Sequence, residues 1–176
     1  MRRIRYSVAM SLDGYIAGPN DEADWIPMNP EIDFAALFAQ FDTFLLGRRT
    51  FEVMKRMNPA ISLPRTYVFS RTLRQSDYPD VTVVSDKVEE TVAALRAEES
   101  KKDIWIFGGG DLFRNLLAAG LVDTVEVGVI PVLLGGGIPL LPPPARQTTL
   151  KLTGHKVYKS GTVLLEYAVV GEARQP

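Results

Sequence analysis

The chain has 176 residues, 46% of them apolar and 23% charged, with 20 Lys and Arg against 21 Asp and Glu and a formal net charge of −1. This is enough apolar mass for one sizeable core, and it provides no sequence-wide field for holding nucleic acid or an anionic membrane. The absence of cysteine and the single histidine, His155, exclude disulfides, thiolate nucleophiles, Cys-ligated metal centres and any site built on two imidazoles.

Behind the basic start Met1-Arg2-Arg3-Ile4-Arg5, polar residues at Ser7, Ser11 and Asp13 interrupt the apolar run too soon for a signal-peptide core. No stretch has the roughly 18 uninterrupted apolar residues of a membrane span. The expectation is a single domain over residues 1–176, in the cytoplasm, with no metal, membrane or nucleic-acid partner.

Ile4, Tyr6, Val8 and Met10 alternate with Arg5, Ser7 and Ala9, which predicts an opening strand before the turn at Leu12-Asp13-Gly14. Tyr15-Ile16-Ala17 leads into a loop at Gly18-Pro19-Asn20-Asp21. From about Glu31 to Gln40, Phe34, Leu37, Phe38 and Phe41 recur at helical spacing and predict a helix before the strand Thr43 to Leu46, which runs into Gly47-Arg48-Arg49-Thr50. A second helix covers Thr50 to about Arg56 and stops before Pro59. Thr66 to Phe69 reads as a strand ending at Ser70-Arg71-Thr72, and Val81 to Val84 as another. Asp86 and Glu89 resemble a capping box for a helix with Val88, Val92 and Leu95 inward.

Ile104-Trp105-Ile106-Phe107 shows no alternation, as expected of a central strand covered on both faces, and it ends in Gly108-Gly109-Gly110. A helix from Asp111 to Ala119 stops at Gly120, a strand covers Thr124 to Val129, and glycine and proline make a long turn from Leu134 to Pro144. Leu150 to Tyr158 and Thr162 to Val170 form a terminal antiparallel hairpin, followed by a frayed tail from Gly171 to Pro176. The pattern is that of an α/β sandwich with a mixed sheet.

Three of the strand ends carry chemistry suited to phosphate. Gly47-Arg48-Arg49-Thr50 sets two guanidiniums and a hydroxyl at the positive end of a helix, and Ser70-Arg71 repeats the hydroxyl and guanidinium at the next strand end. Each alone also reads as solvated surface charge or a polar turn. The triplet Gly108-Gly109-Gly110 leaves amides bare between a buried strand and a helix, although Phe113 breaks the Gly-x-Gly-x-x-Gly dinucleotide pattern. A tight turn without a ligand is the plainer reading, and Gly135-Gly136-Gly137 is expected to be a packing triplet of that kind.

Together Ser11-Leu12-Asp13-Gly14-Tyr15-Ile16-Ala17, Asp24-Trp25, Leu45-Leu46-Gly47-Arg48-Arg49-Thr50, Val68-Phe69-Ser70-Arg71 and Ile104 to Gly110 resemble the dihydrofolate-reductase-like superfamily. Over roughly residues 3 to 170 the resemblance is closest to the reductase domain of riboflavin biosynthesis and its stand-alone relatives. It implies a three-layer sandwich with a central mixed sheet and a homodimer. It also implies an NADPH-dependent reductase that transfers hydride to a small heterocyclic or sugar-derived substrate, similar to 5-amino-6-(5-phosphoribosylamino)uracil reductase. The deaminase signature that usually accompanies that enzyme is missing from this chain.

By resemblance, Gly47, Arg48 and Thr50 grip the NADPH phosphates with Arg49 facing the same zone, and Ser70 and Arg71 meet the 2′-phosphate. Gly108 and Gly109 receive the pyrophosphate, Gly110, Asp111 and Leu112 continue the helix start, and the backbone at Ala9 and Ile16 holds the carboxamide. On the substrate side the resemblance points to Asp13, Trp25 and Glu31, with Asp13 and Glu31 the catalytic candidates. Helix-start acids such as Glu31 and Asp33 also serve the helix dipole, and Asp13-Gly14 is also a common turn pair. Phe113 stands where many dihydrofolate reductases carry tyrosine, which implies the loss of a hydroxyl near the nicotinamide. Dihydrofolate reduction and a nucleotide-binding module without turnover are the alternatives.

Overall fold

The computed structural model describes residues 1–172. In chain order the elements are β1 (Ile4–Ser11), β2 (Tyr15–Ala17), α1 (Phe34–Phe38), β3 (Phe41–Gly47), α2 (Arg48–Met57), β4 (Thr66–Phe69), β5 (Thr82–Val84), α3 (Val88–Ala97), β6 (Asp103–Gly108), α4 (Gly110–Ala118), β7 (Thr124–Ile130), β8 (Ile138–Pro139), β9 (Thr148–Val157) and β10 (Val163–Glu172). Eight strands make one sheet in the order β5-β4-β3-β6-β1-β7-β10-β9, and β2 pairs with β8 apart from it. The strands from β5 to β7 are mutually parallel, whereas β10 and β9 are antiparallel additions. The expected α/β sandwich with a central mixed sheet and a terminal hairpin is therefore the observed fold.

Each face of the sheet has its own core. On one side Ile4, Tyr6, Ile104 and Ile106 meet Val92 and Leu95 of α3 and Leu112, Phe113 and Leu116 of α4. On the other, Phe44, Leu46 and Trp105 meet Phe51 and Met54 of α2 and the partly buried Leu37 and Phe38 of α1. Burial of each such large side chain contributes about 1.5–3 kcal/mol. Opposite the ends of β3, β4 and β6, the sheet is pinned by charge. Arg5 donates through Nε and Nη2 to Glu126 at 2.6 and 2.8 Å, and its guanidinium lies 4.6 Å from the Phe41 ring. Both partners are buried, so removal of either leaves an uncompensated charge, which typically costs about 3–5 kcal/mol.

Several boundaries differ from expectation. The first helix shrinks to the five residues of α1, because residues 29–32 close a turn through the Asn29 carbonyl and side chain and Asp33 caps from its carboxylate to the Ala36 amide at 2.9 Å. The capping box at Asp86 does not form. Lys87, in a left-handed conformation with φ 49°, occupies the position before α3 and makes no side-chain cap. Phe113 turns into the core and stacks on Tyr6 with ring centroids 4.0 Å apart, so its identity does not alter the wall of a ligand cleft. Strand β8 was not expected, and the strand β10 runs through Glu172, two residues into the expected tail, whose remaining residues 173–176 lie outside the described residues.

Candidate active site

Because β4, β3 and β6 are parallel neighbours, their C-terminal ends emerge side by side and bring the three sequence motifs to one edge. Gly47 caps α2 in extended geometry, and a Cβ there would sit 3.6 Å from the Gly109 amide nitrogen. The next residues, Arg48, Arg49 and Thr50, form the first turn of α2, which contains no acid. Gly109 caps the N-terminus of α4, and the peptide between Gly108 and Gly109 is cis. Thr50 Oγ1 lies 3.1 Å from the position of a Cβ at either Gly108 or Gly109. At the end of β4 the Ser70 hydroxyl accepts from the Thr72 and Leu73 amides at 3.1 and 3.0 Å, which shapes the turn that presents Arg71.

These turns surround one open cleft of about 1080 Å³. Gly47, Arg48, Arg49, Thr50, Ser70, Arg71, Gly108, Gly109, Gly110, Asp111 and Leu112 all line it, as does Ile16. Val8 and Phe107 supply apolar wall nearer the middle of the sheet, and Thr72, Ser85 and Asn115 add polar groups that sequence reasoning missed. Asp21 was missed too. Its carboxylate contacts Arg49 Nε at 2.7 Å, while Arg48 Nη1 contacts Glu52 of its own helix at 3.1 Å.

The substrate-side candidates fare differently, for Ala9, Asp13, Trp25 and Glu31 lie outside the lining of this cleft. Asp13 accepts from the Ser11 hydroxyl at 2.7 Å and from the Leu134 and Gly135 amides at 3.1 and 2.7 Å. These bonds, the Ser11 hydroxyl first and then the Leu134 and Gly135 amides, hold its pKa down at about 2 and tie the loop at Leu134 and Gly135 to the turn after β1. Glu31 accepts from the Lys159 amide at 2.8 Å at the turn of the terminal hairpin, and Trp25 donates to the Glu22 carbonyl at 3.0 Å. His155 is exposed on β9. Among the described residues no cluster of acids and histidine is arranged to hold a metal ion.

The glycine triplets also divide differently from expectation. Gly108 and Gly109 face Thr50 and the cleft, but a Cβ on Gly110 would come within 2.8 Å of Pro142 and 2.9 Å of the Pro139 carbonyl, so Gly110 is a packing position as well. In the second triplet only Gly137 is tightly packed, since a Cβ there would run into the Ala17 carbonyl oxygen, and Gly136 faces open space.

Residues 2–164 match the model of the RibD C-terminal domain. The chain belongs to that family. It is 34% identical over 179 residues to YyaP of Bacillus subtilis (strain 168), covering 94% of each chain, and 32% identical over 156 residues to YwjB of the same organism, covering 86% of this chain and 89% of that one. Among solved structures it superposes with a TM-score of 0.81 and 27% identity on a putative riboflavin biosynthesis protein from Shewanella sp. PV-4, over 96% of this chain and 99% of the other. The fold is shared with the deaminase/reductase of Thermotoga maritima, at a TM-score of 0.71 and 16% identity over 96% of this chain and 56% of that one. As a RibD C-terminal domain the chain is reductase-like, with the dihydrofolate-reductase-like architecture. No helix among the described residues is long and apolar enough to cross a membrane.

The role of Asp13 in this RibD C-terminal domain carries a pH signature. A carboxylate whose pKa is depressed on folding stabilises the fold above its unfolded pKa, near 4, and loses that contribution as pH falls towards its folded value of about 2. Asp13→Asn is expected to melt lower than the wild type at pH 7, with the gap narrowing from pH 4 downward in a series of thermal melts. A gap that stays constant to pH 2 would contradict the assignment.

Proposed function

We propose that this chain is an NADPH-dependent reductase that transfers hydride to a small heterocyclic or sugar-derived substrate. The observation that carries the reading is the convergence of Gly47, Gly108 and Gly109, the Thr50 hydroxyl and three arginines on one cleft. A β-carbon at Gly109 would enter the space between its backbone and Thr50, so the cradle depends on glycine, as close approach of a pyrophosphate to main-chain donors requires. Thr50 and the first amides of α4 would hold that pyrophosphate, and Arg71 the 2′-phosphate. Ile16, Val8 and Phe107 offer apolar wall for the nicotinamide end, with Val8 in the place assigned by resemblance to Ala9. When bound, NADPH supplies the hydride, and the protein supplies orientation and charge.

The engagement of Glu31 and Asp33 elsewhere counts against dihydrofolate, which by resemblance calls for a free carboxylate after the tryptophan. The reading places the protein in the cytoplasm, with a small-molecule substrate and no nucleic-acid or membrane partner. It also includes a homodimer. Leu150, Leu152, His155 and Val157 share one face of β9 with Leu165 and Tyr167 of β10, on the same side of the sheet as the α3 and α4 core. Leu150, Leu152 and Val157 are exposed there, and an isologous contact with a second copy would bury them. Light scattering at micromolar concentration should give twice the 19.5 kDa chain mass, and a monomer mass would refute the dimer.

Cofactor choice is tested at Arg71. Wild type should bind NADPH about ten- to a hundredfold more tightly than NADH, the equivalent of one charge-assisted guanidinium–phosphate contact, and Arg71→Ala should remove most of that preference. Equal dissociation constants in the wild type would refute it.

The cradle is tested by Gly109→Ala, with Gly136→Ala as control because a methyl group there meets nothing within 4 Å. The first variant should remain folded and lose NADPH affinity, and the second should change neither. Full-strength binding by folded Gly109→Ala would remove the main support for a cofactor at this strand end.

A further inference from the structure

The two arginines that open α2 are held in different ways. Arg48 uses Nη1, on its terminal edge, to reach both carboxylate oxygens of Glu52 at 3.1 Å, one helical turn along. Arg49 is held at Nε, by both oxygens of Asp21 at 2.7 and 2.9 Å. The pair with Asp21 therefore leaves the terminal nitrogens of Arg49 outside the contact, and these two nitrogens form the edge with which a guanidinium takes a phosphate in parallel.

Asp21 is the fixed member of its pair. Its side chain is 17% exposed against 59% for Arg49. The loop that carries it is closed on itself: the Gly18 amide donates to the Glu22 carbonyl at 2.8 Å and the Asp21 amide to the Gly18 carbonyl at 3.1 Å. The amide and side-chain nitrogens of Asn20 each donate to the Glu22 carboxylate at 2.8 Å. A long cationic side chain held in place before a ligand arrives loses less rotamer freedom on binding.

We propose that Asp21 is a positioning residue for Arg49, and that Arg49, not Arg48, is the preorganised phosphate grip at the start of α2. The inference rests on the reading of the cleft as a nucleotide-phosphate site. It inverts the weighting implied by resemblance, in which Arg48 leads and Arg49 assists. Arg48 is held by Glu52, whose side chain is 41% exposed on the same helix, whereas Arg49 is held by the less exposed Asp21 and keeps it while its terminal edge binds.

The test is a double-mutant cycle on the whole chain, with ADP as probe and isothermal calorimetry as readout, alongside a thermal melt of each variant. Asp21 has φ 69°, a conformation that asparagine also adopts readily, so Asp21→Asn is compatible with the folded loop. Asp21→Asn should weaken ADP about three- to tenfold with little change in melting temperature, the size expected when one exposed ion pair and the order it imposes are lost. Arg49→Met should weaken ADP at least as much. In the Arg49→Met background, Asp21→Asn should cause no further loss and should restore a little affinity, because the carboxylate then only repels phosphate.

Tighter or unchanged ADP binding by Asp21→Asn would overturn the inference and mark Asp21 as a competitor or a bystander. An equal loss with and without Arg49 would overturn it too, by showing that Asp21 acts on the ligand or the loop directly. Failure of the wild type to bind ADP or NADPH would instead bring down the cleft reading, and this inference with it.

Discussion

Parallel pairing of β4, β3, β6 and β1 is the constraint from which the rest follows. In a run of parallel strands every C-terminus exits at the same edge, so whatever follows each strand is gathered into one row. Gly47, Ser70 and Gly108 are far apart in sequence and become neighbours for this reason alone. The connections must cross from edge to edge, and α2, α3 and α4 make those crossings while burying the two faces of the sheet. The same geometry sets the N-termini of α2 and α4 beside each other at the cleft, with Thr50 against Gly108 and Gly109.

Charge is handled in opposite ways at the two edges. At the N-terminal edge Arg5 and Glu126 are buried and doubly bonded, and the buried Arg2 bonds to Asp42, to Thr43 at 2.9 Å and to the Leu95 carbonyl at 3.3 Å. Such pairs hold because loss of one partner strands a charge away from water. At the cleft edge, Arg48 and Arg49 are half exposed or more, and exposed pairs of this sort contribute about 0–1 kcal/mol each. A partner exchanged at the cleft costs little, and one exchanged at the other edge endangers the fold. On the proposed reading, anions enter where the sheet is not held by its salt bridges.

The elements that were legible in the sequence are those whose signal is local. The uninterrupted Ile104 to Phe107, the alternation of β1 and the stripe of α4 each state their burial within a few residues, and the strand-end motifs state their chemistry the same way. What escaped depends on partners remote in sequence or on backbone detail. Asp13 has the ordinary look of a turn residue or a candidate acid, and only the return of Leu134 and Gly135 more than a hundred residues later decides between them. Asp21 lies in a segment legible only as a loop, and no spacing rule connects it to Arg49. The start of α1 falls later than apolar periodicity predicts because Asn29 and Asp33 compete for the backbone with side-chain bonds, which that periodicity does not register.

The fate of the acids narrows what the cleft's side chains can contribute to the proposed reduction. Asp21 and Asp111 are the carboxylates among the described residues that line it, and each faces a guanidinium, Asp21 that of Arg49 and Asp111 that of Arg114 at 3.2 Å. Asp13, Glu31 and Asp33 are spent on backbone amides outside it. Neither cleft carboxylate therefore stands unengaged beside the apolar wall as a proton donor in place for a substrate. The levers left to the side chains are placement of the phosphates by Thr50 and the arginines, close backbone approach at Gly109, and the apolar wall of Val8, Ile16 and Phe107. Those are the means by which a protein orients a cofactor that brings its own chemistry.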